Sequence, residues 1–135
     1  MSAGAVLDAS ALLAYLREEP GAELVTKVIA ASGASICAVN LAEALSTVAG
    51  HGADPAELAA ELTARGLLGG AVTVEPFTTA DAIEAARLRP LTRAAGLSLG
   101  DRACLALARR QGAVAITADA SWATLRLGID VRTIR

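Results

Sequence analysis

Gly4-Ala5-Val6-Leu7-Asp8-Ala9-Ser10-Ala11-Leu12-Leu13 is a short apolar run that stops on a carboxylate. Ala5, Val6 and Leu7 are too few for a helix but enough for a strand buried on both faces, as the central strands of parallel sheets are. That reading puts Asp8 at the carboxyl end of the strand. In open α/β sheets ligands bind at this edge, because loops and helix starts converge there. An acid in that place serves either a site or a cap, and such acids also occur as plain turn residues. Ser10 can cap a helix that starts near Ala11, which leaves Asp8 free of that duty.

Downstream, strands and helices alternate. Ser10 to Arg17 reads as a helix, Pro20-Gly21 breaks it, and Ala22 to Ala31 resumes helical spacing with Leu24, Val25, Val28 and Ile29 as its stripe. Ile36 to Val39 reads as a second strand. The next helix is predicted to begin at Asn40 as N-cap, with Glu43 in capping-box position and Leu41, Leu45 and Val48 buried. Asn40, Glu43 and Thr47 share its polar face. His51 to Pro55 is a turn, and Asp54-Pro55-Ala56-Glu57 opens a helix to about Arg65. Val72 to Val74 is a third strand, Thr79 to about Leu88 a helix, and Pro90 starts a new turn that Gly96 ends. Ser98-Leu99-Gly100-Asp101 pairs a cap with an acid three residues on and opens a helix to Gln111-Gly112. Val114 to Thr117 is a fourth strand followed closely by Asp119, Ser121 to Leu127 a short helix, and Val131 to Ile134 a last edge strand. Alternation of this kind implies right-handed crossovers and a parallel sheet of four to five strands between helices.

Bulk properties narrow the class. At 135 residues the chain fits one domain, taken as residues 1–135, and can bury a real core. It is 54% hydrophobic, yet charges break every apolar run well short of the roughly 18 residues of a membrane span. No basic leader precedes Asp8, so a soluble, cytoplasmic protein is expected. Cys37 and Cys104 lie in apolar stretches without metal or redox spacing and read as buried small side chains. Trp122 reads as a core plug beside Asp119. Of 12 basic residues only Lys27 is a lysine, so the cationic surface is arginine, the better bidentate partner of phosphate.

Glu43 and Asp101 each have a structural explanation as helix-start acids. In combination the acids point further. Asp8 and Asp119 follow strands, and Glu43 opens the helix that leaves the second strand, so three carboxylates project from one sheet edge. Asp101 is compatible with that edge through an antiparallel return. Four carboxylates packed there repel unless protonated or neutralised, and a hard divalent cation resolves the conflict. All-oxygen ligands favour Mg²⁺ or Mn²⁺ over Zn²⁺. Such ions activate water and stabilise charge on a phosphate in transit. With the four acids set aside, 10 acidic residues face 12 basic ones. A phosphodiester could then be held by arginines around an acidic core, with Arg102, Arg17, Arg87, Arg89, Arg93 and Arg126 as candidates.

Four stretches carry a specific resemblance: Val6-Leu7-Asp8-Ala9-Ser10, Val39-Asn40-Leu41-Ala42-Glu43, Gly96-Leu97-Ser98-Leu99-Gly100-Asp101, and Thr117-Ala118-Asp119-Ala120-Ser121-Trp122. In this order, over essentially the whole chain, they resemble the acidic motifs of PIN-domain ribonucleases and, more narrowly, of VapC-type toxins. The resemblance implies a PIN-like three-layer α/β/α sandwich and a metal-dependent endoribonuclease. It also implies a homodimer and inhibition by a small cognate antitoxin. Asp8, Glu43, Asp101 and Asp119 match the acidic quartet, Ser10 and Thr117 the small hydroxyl positions near the metal, and Asn40 is grouped with them as a supporting residue. Some members carry a further acid where this chain has Ala120 and Ser121. A receiver domain or aspartyl-phosphate phosphatase needs a lysine late in the sheet order, and Lys27 lies in an early helix. A non-catalytic binding module on the same fold is the remaining alternative, and the intact acids disfavour it. The Leu41 to Leu68 segment carries leucine and alanine beyond what one buried face needs, for a dimer or antitoxin interface or for core packing.

Overall fold

The computed structural model describes residues 4–135. The first three residues, part of the stretch read for a leader, lie outside the described residues. Five strands form one sheet in the order β3-β2-β1-β4-β5, and every neighbouring pair is parallel. They are β1 (Ala5–Leu7), β2 (Ala34–Cys37), β3 (Val72–Glu75), β4 (Val114–Thr117) and β5 (Val131–Thr133). β1 lies in the middle, paired through Leu7 with Ile36 on one side and Ile116 on the other. Its three residues are buried on both faces, as the apolar run predicts.

Six α-helices make the crossovers: α1 (Ala9–Arg17), α2 (Ala22–Ser32), α3 (Ala38–Ala49), α4 (Pro55–Ala64), α5 (Thr79–Thr92) and α6 (Leu99–Gln111). Strand pleating sorts the core into two layers. Ala5, Leu7, Ile36 and Ile116 pack with Leu12, Val25 and Leu62 of α1, α2 and α4. Val6, Cys37 and Ala115 pack with Leu88 of α5, Leu105 and Leu107 of α6, and Trp122. The result is the three-layer α/β/α sandwich. Both cysteines are buried and free, and Trp122 is fully buried. Among the described residues no helix is long and apolar enough to cross a membrane.

Several boundaries differ from the sequence reading. Asp8, not Ser10, caps α1, accepting a hydrogen bond from the Ala11 amide at 2.8 Å. Strand β2 ends at Cys37, and α3 starts at Ala38 with Cys37 as N-cap and no side-chain cap bond. Asn40 therefore lies inside the first turn. Its burial, with that of Ala44, displaces the expected stripe, and Leu41, Leu45 and Val48 are only half-buried. Helix α5 runs through Pro90 to Thr92 before a 3₁₀ turn at Arg93–Ala95. Pro90 is tolerated because it and Ala86, whose carbonyl loses its amide partner, both face solvent. The stretch after β4 is a 3₁₀ turn over Ala120–Thr124 rather than a helix to Leu127. It is too short to gain α-helical hydrogen bonds before the chain turns back toward β5.

Candidate active site

The strand order reverses at the centre of the sheet: β1 is followed in sequence by β2 on one side, while β4 lies on its other side. The carboxyl ends of β1 and β4 therefore border a topological switch point, the crevice where open α/β sheets hold their ligands. Asp8 emerges there from β1, and its amide extends the ladder by donating to the Ile116 carbonyl of β4 at 3.0 Å. It is only 4% exposed.

Two hydroxyls fasten the Asp8 carboxylate. Ser10 Oγ donates to Oδ1 at 2.7 Å and Thr117 Oγ1 donates to Oδ2 at 2.5 Å. Each hydroxyl is itself held by an amide of the segment leaving β4, Ala118 N–H to Ser10 Oγ at 2.9 Å and Asp119 N–H to Thr117 Oγ1 at 3.0 Å. The acid is thus oriented by a two-layer hydrogen-bond network. Burial nevertheless pushes the Asp8 carboxyl pKa up; the bonds from Thr117, Ser10 and the Ala11 amide oppose this, and the charge of Asp101 adds to the rise.

Glu43 and Asp101 approach from two helices. Asn40 is fully buried, and its Nδ2 donates to Glu43 Oε1 at 3.1 Å and to the Gly100 carbonyl at 2.9 Å, which ties the start of α3 to the start of α6. Its Oδ1 is buried with no partner. Burial raises the Glu43 pKa, the bond from Asn40 lowers it, and the charges of Asp101 and Asp8 raise it further. Gly100 packs directly under the Glu43 carboxylate, where a Cβ would sit far inside van der Waals contact. Asp101 completes the capping box of α6, with Ser98 N–H donating to its Oδ2 at 2.9 Å and Ser98 Oγ accepting from its amide at 3.1 Å. Asp119 is exposed and caps the 3₁₀ turn, accepting from the Ser121 amide at 2.9 Å and hydroxyl at 2.7 Å.

Asp8, Glu43 and Asp101 therefore share one electrostatic neighbourhood, while Asp119 is linked to Thr117 by its backbone amide and its carboxylate is held by Ser121. None of the four is ion-paired with a basic side chain among the described residues. Among the described residues, too, no group of three or more His, Cys, Asp and Glu side chains stands together as a finished metal cage. Instead, Glu43, Asp101 and Asp119 each take hydrogen bonds from donors within three residues. In kind, the donors fit a hard divalent cation: carboxylate oxygens without counter-charges, beside a buried amide oxygen without a donor.

The candidate arginines separate. Arg17 lies 3.9 Å from Glu19 and 3.3 Å from His51 Nδ1, and Arg87 pairs with Glu84 at 3.0 Å. Arg89, Arg93 and Arg102 line a single cavity beside Ser98. Gly100 was not singled out by sequence reasoning. The available signal was a glycine in the first turn of a helix, where it is unfavourable unless something approaches closely.

The comparisons bear on the family and the fold. Residues 5–126 match the family model described as PIN domain. No functionally curated protein matches the chain by sequence. Among solved structures, a toxin-antitoxin complex from Klebsiella pneumoniae is similar at a TM-score of 0.73 and 16% identity, over 98% of each chain. DNA-bound VapBC from Salmonella typhimurium is similar at 0.70 and 16% identity over 100% of both chains. Mycobacterium tuberculosis VapC20, a sarcin-ricin-loop-cleaving toxin, is similar at 0.69 and 18% identity, over 91% of this chain and 97% of its own. At these identities the likeness establishes a shared fold.

Proposed function

The chain belongs to the PIN-domain family, and from that premise we propose that it is a metal-dependent endoribonuclease serving as the toxin of a toxin-antitoxin pair. The observation that carries this reading is the buried Asp8 carboxylate, set at the switch point without a counter-cation and within the fields of Glu43 and Asp101. Mg²⁺ or Mn²⁺ would be held by Asp8, Glu43, Asp101 and Asp119. When bound, such an ion makes water nucleophilic near neutral pH and stabilises charge developing on a phosphodiester. Cleavage then leaves 5′-phosphate and 3′-hydroxyl ends.

The chain's own residues organise the site. Ser10 and Thr117 orient Asp8, whose Oδ2 takes one donor against two on Oδ1, and Asn40 holds Glu43 against the first turn of α6. The α6 N-terminus places partial positive charge beside Asp101. One PIN-like domain over residues 1–135, acting in the cytoplasm, is part of the same reading. So is a homodimer joined through the half-buried Leu41, Leu45, Val48 and Leu58 of α3 and α4. The toxin-antitoxin complexes among the similar structures support a cognate antitoxin as partner.

The test is cleavage of single-stranded RNA with Mg²⁺ or Mn²⁺ against excess chelator, together with calorimetric titration of Mn²⁺. Wild-type protein is expected to bind Mn²⁺ and cleave, and Asp8→Asn and Asp101→Asn to do neither. Undiminished cleavage by either variant would refute the mechanism, and no Mn²⁺ binding at millimolar metal would favour a non-catalytic binding module.

A further inference from the structure

The α5–α6 layer carries six arginines near one another in the fold, and they fall into two groups. Arg87 and Arg109 share Glu84, and Arg110 is paired with Asp81. Arg89, Arg93 and Arg102 have no carboxylate partner among the described residues, yet all three line one cavity of about 290 Å³. Arg89 and Arg93 are exposed and four residues apart at the end of α5, a spacing at which like charges repel. Arg102 is half-buried. Its Nη1 donates to the Ala85 carbonyl at 2.8 Å, while its Nε is buried without a partner. Three guanidinium groups around one hollow, with no carboxylate among its lining residues, form a site that an anion with several acceptor oxygens would complete.

The position of the cavity indicates which anion. Its wall includes Ser98, whose amide and hydroxyl form the capping box with Asp101, and Arg102 follows Asp101 in the chain. Resting on the nuclease reading above, we propose that Arg89, Arg93 and Arg102 form a subsite for a backbone phosphate of the RNA strand, next to the phosphate presented to the acidic residues. No carboxylate lines the cavity, so no acidic side chain there competes with the phosphate for the arginines. The subsite reads the backbone and adds affinity without base preference.

Binding, measured apart from cleavage, tests this. Fluorescence anisotropy with 3′-labelled single-stranded RNA in excess chelator compares wild type, the double variant Arg89→Gln/Arg93→Gln, and Lys27→Gln/Arg132→Gln, which removes two exposed charges elsewhere. Both variants alter exposed residues and leave the Arg102 bond to Ala85 intact. The first is expected to raise Kd about tenfold and to lower the slope of log K against log salt by about 0.7, the value for one phosphate on a single strand. The loss is expected to be equal on oligo-U and oligo-A, and the control is expected to stay close to wild type. Equal losses in the two variants, or a loss confined to one base sequence, would overturn the subsite. Wild-type protein that cleaves RNA while Arg89→Gln/Arg93→Gln binds it normally would overturn the subsite alone. Wild-type protein that neither binds nor cleaves RNA would overturn the nuclease reading together with it.

Discussion

Two carboxylates are almost fully withdrawn from solvent, Asp8 at 4% exposure and Asp81 at 2%, and the molecule treats them in opposite ways. Asp81, in the first turn of α5, closes a capping box with Thr78 and receives both arms of Arg110, at 2.9 and 3.1 Å. Burial raises its pKa, but the bonds from Arg110 and Thr78 outweigh that and hold the carboxyl below its usual range. Asp8 receives only neutral donors, faces the charge of Asp101, and sits above its usual range. The first acid is satisfied within the fold and clamps α5 to α6. The second is oriented but uncompensated, an arrangement that costs stability and is kept where a ligand must supply the missing charge. Their couplings to pH have opposite signs. Asp81, with its pKa depressed, stabilises the fold above the unfolded value of 3.8 and loses that contribution as pH falls through its folded value. Asp8, with its pKa raised, favours folding most below 3.8 and loses that as pH rises through its folded value.

The contrast can be broken at several points. The largest effect is expected for activity: Asp8→Asn, which keeps a competent cap for α1, lowers RNA cleavage about a thousandfold, roughly 4 kcal/mol of barrier, whereas Asp81→Asn cleaves at nearly the wild-type rate. Initial rates on a labelled RNA decide it. Next in size is ligand-linked stability. Mn²⁺ at one hundred times its Kd is expected to stabilise wild-type and Asp81→Asn protein by about 2.7 kcal/mol in denaturant titrations, and Asp8→Asn by almost nothing. An equal shift in all three would place the metal elsewhere. Third, Asp81→Asn is expected to cost about 2 kcal/mol at pH 7, because it removes the charge from a bidentate pair whose arginine is partly exposed. That deficit should shrink as pH falls from 3.8 toward the lower folded value, because the unfolded chain takes up the proton first. The smallest effect sharpens the site itself. Gly100→Ala pushes a methyl group into the Glu43 carboxylate and is expected to weaken Mn²⁺ binding about tenfold. Its cost in stability should be slight, since the atoms displaced are the far end of a flexible side chain.

Much of this was legible in the chain. The four acids, the strand ends beneath Asp8 and Asp119, and the Ser98–Asp101 box could be read because apolar runs and capping motifs act over a few residues. Asn40 shows where such reading stops. Its type and its spacing to Glu43 suit an N-cap, but tertiary packing starts α3 at Ala38 and buries the side chain against Gly100, and no local rule competes with that. Asp8 differs in the other direction: it caps α1 although Ser10 offers a cap, and it does so while buried within the field of Asp101, so the capping role does not compete with a site role. The arginines were indistinguishable in sequence. In the α5–α6 layer the positions of Glu84 and Asp81 separate the paired ones from those left around the cavity.

By itself the sequence determined the alternation of buried strands and helices, the parallel sheet that alternation requires, and the placing of carboxylates where elements begin and end. Those outcomes follow from hydrophobic period and backbone capping, which operate within a turn or two of chain. The tertiary structure decided which of those ends meet. Thr117 reaches Asp8 across 109 residues and Asn40 reaches Gly100 across 60, because β4 inserts beside β1 and α6 returns over α3. Contacts at such separations depend on strand order and on how helices fill the two faces of the sheet. The uncompensated charge at Asp8 and the unpaired arginines beside Ser98 are properties of that assembly.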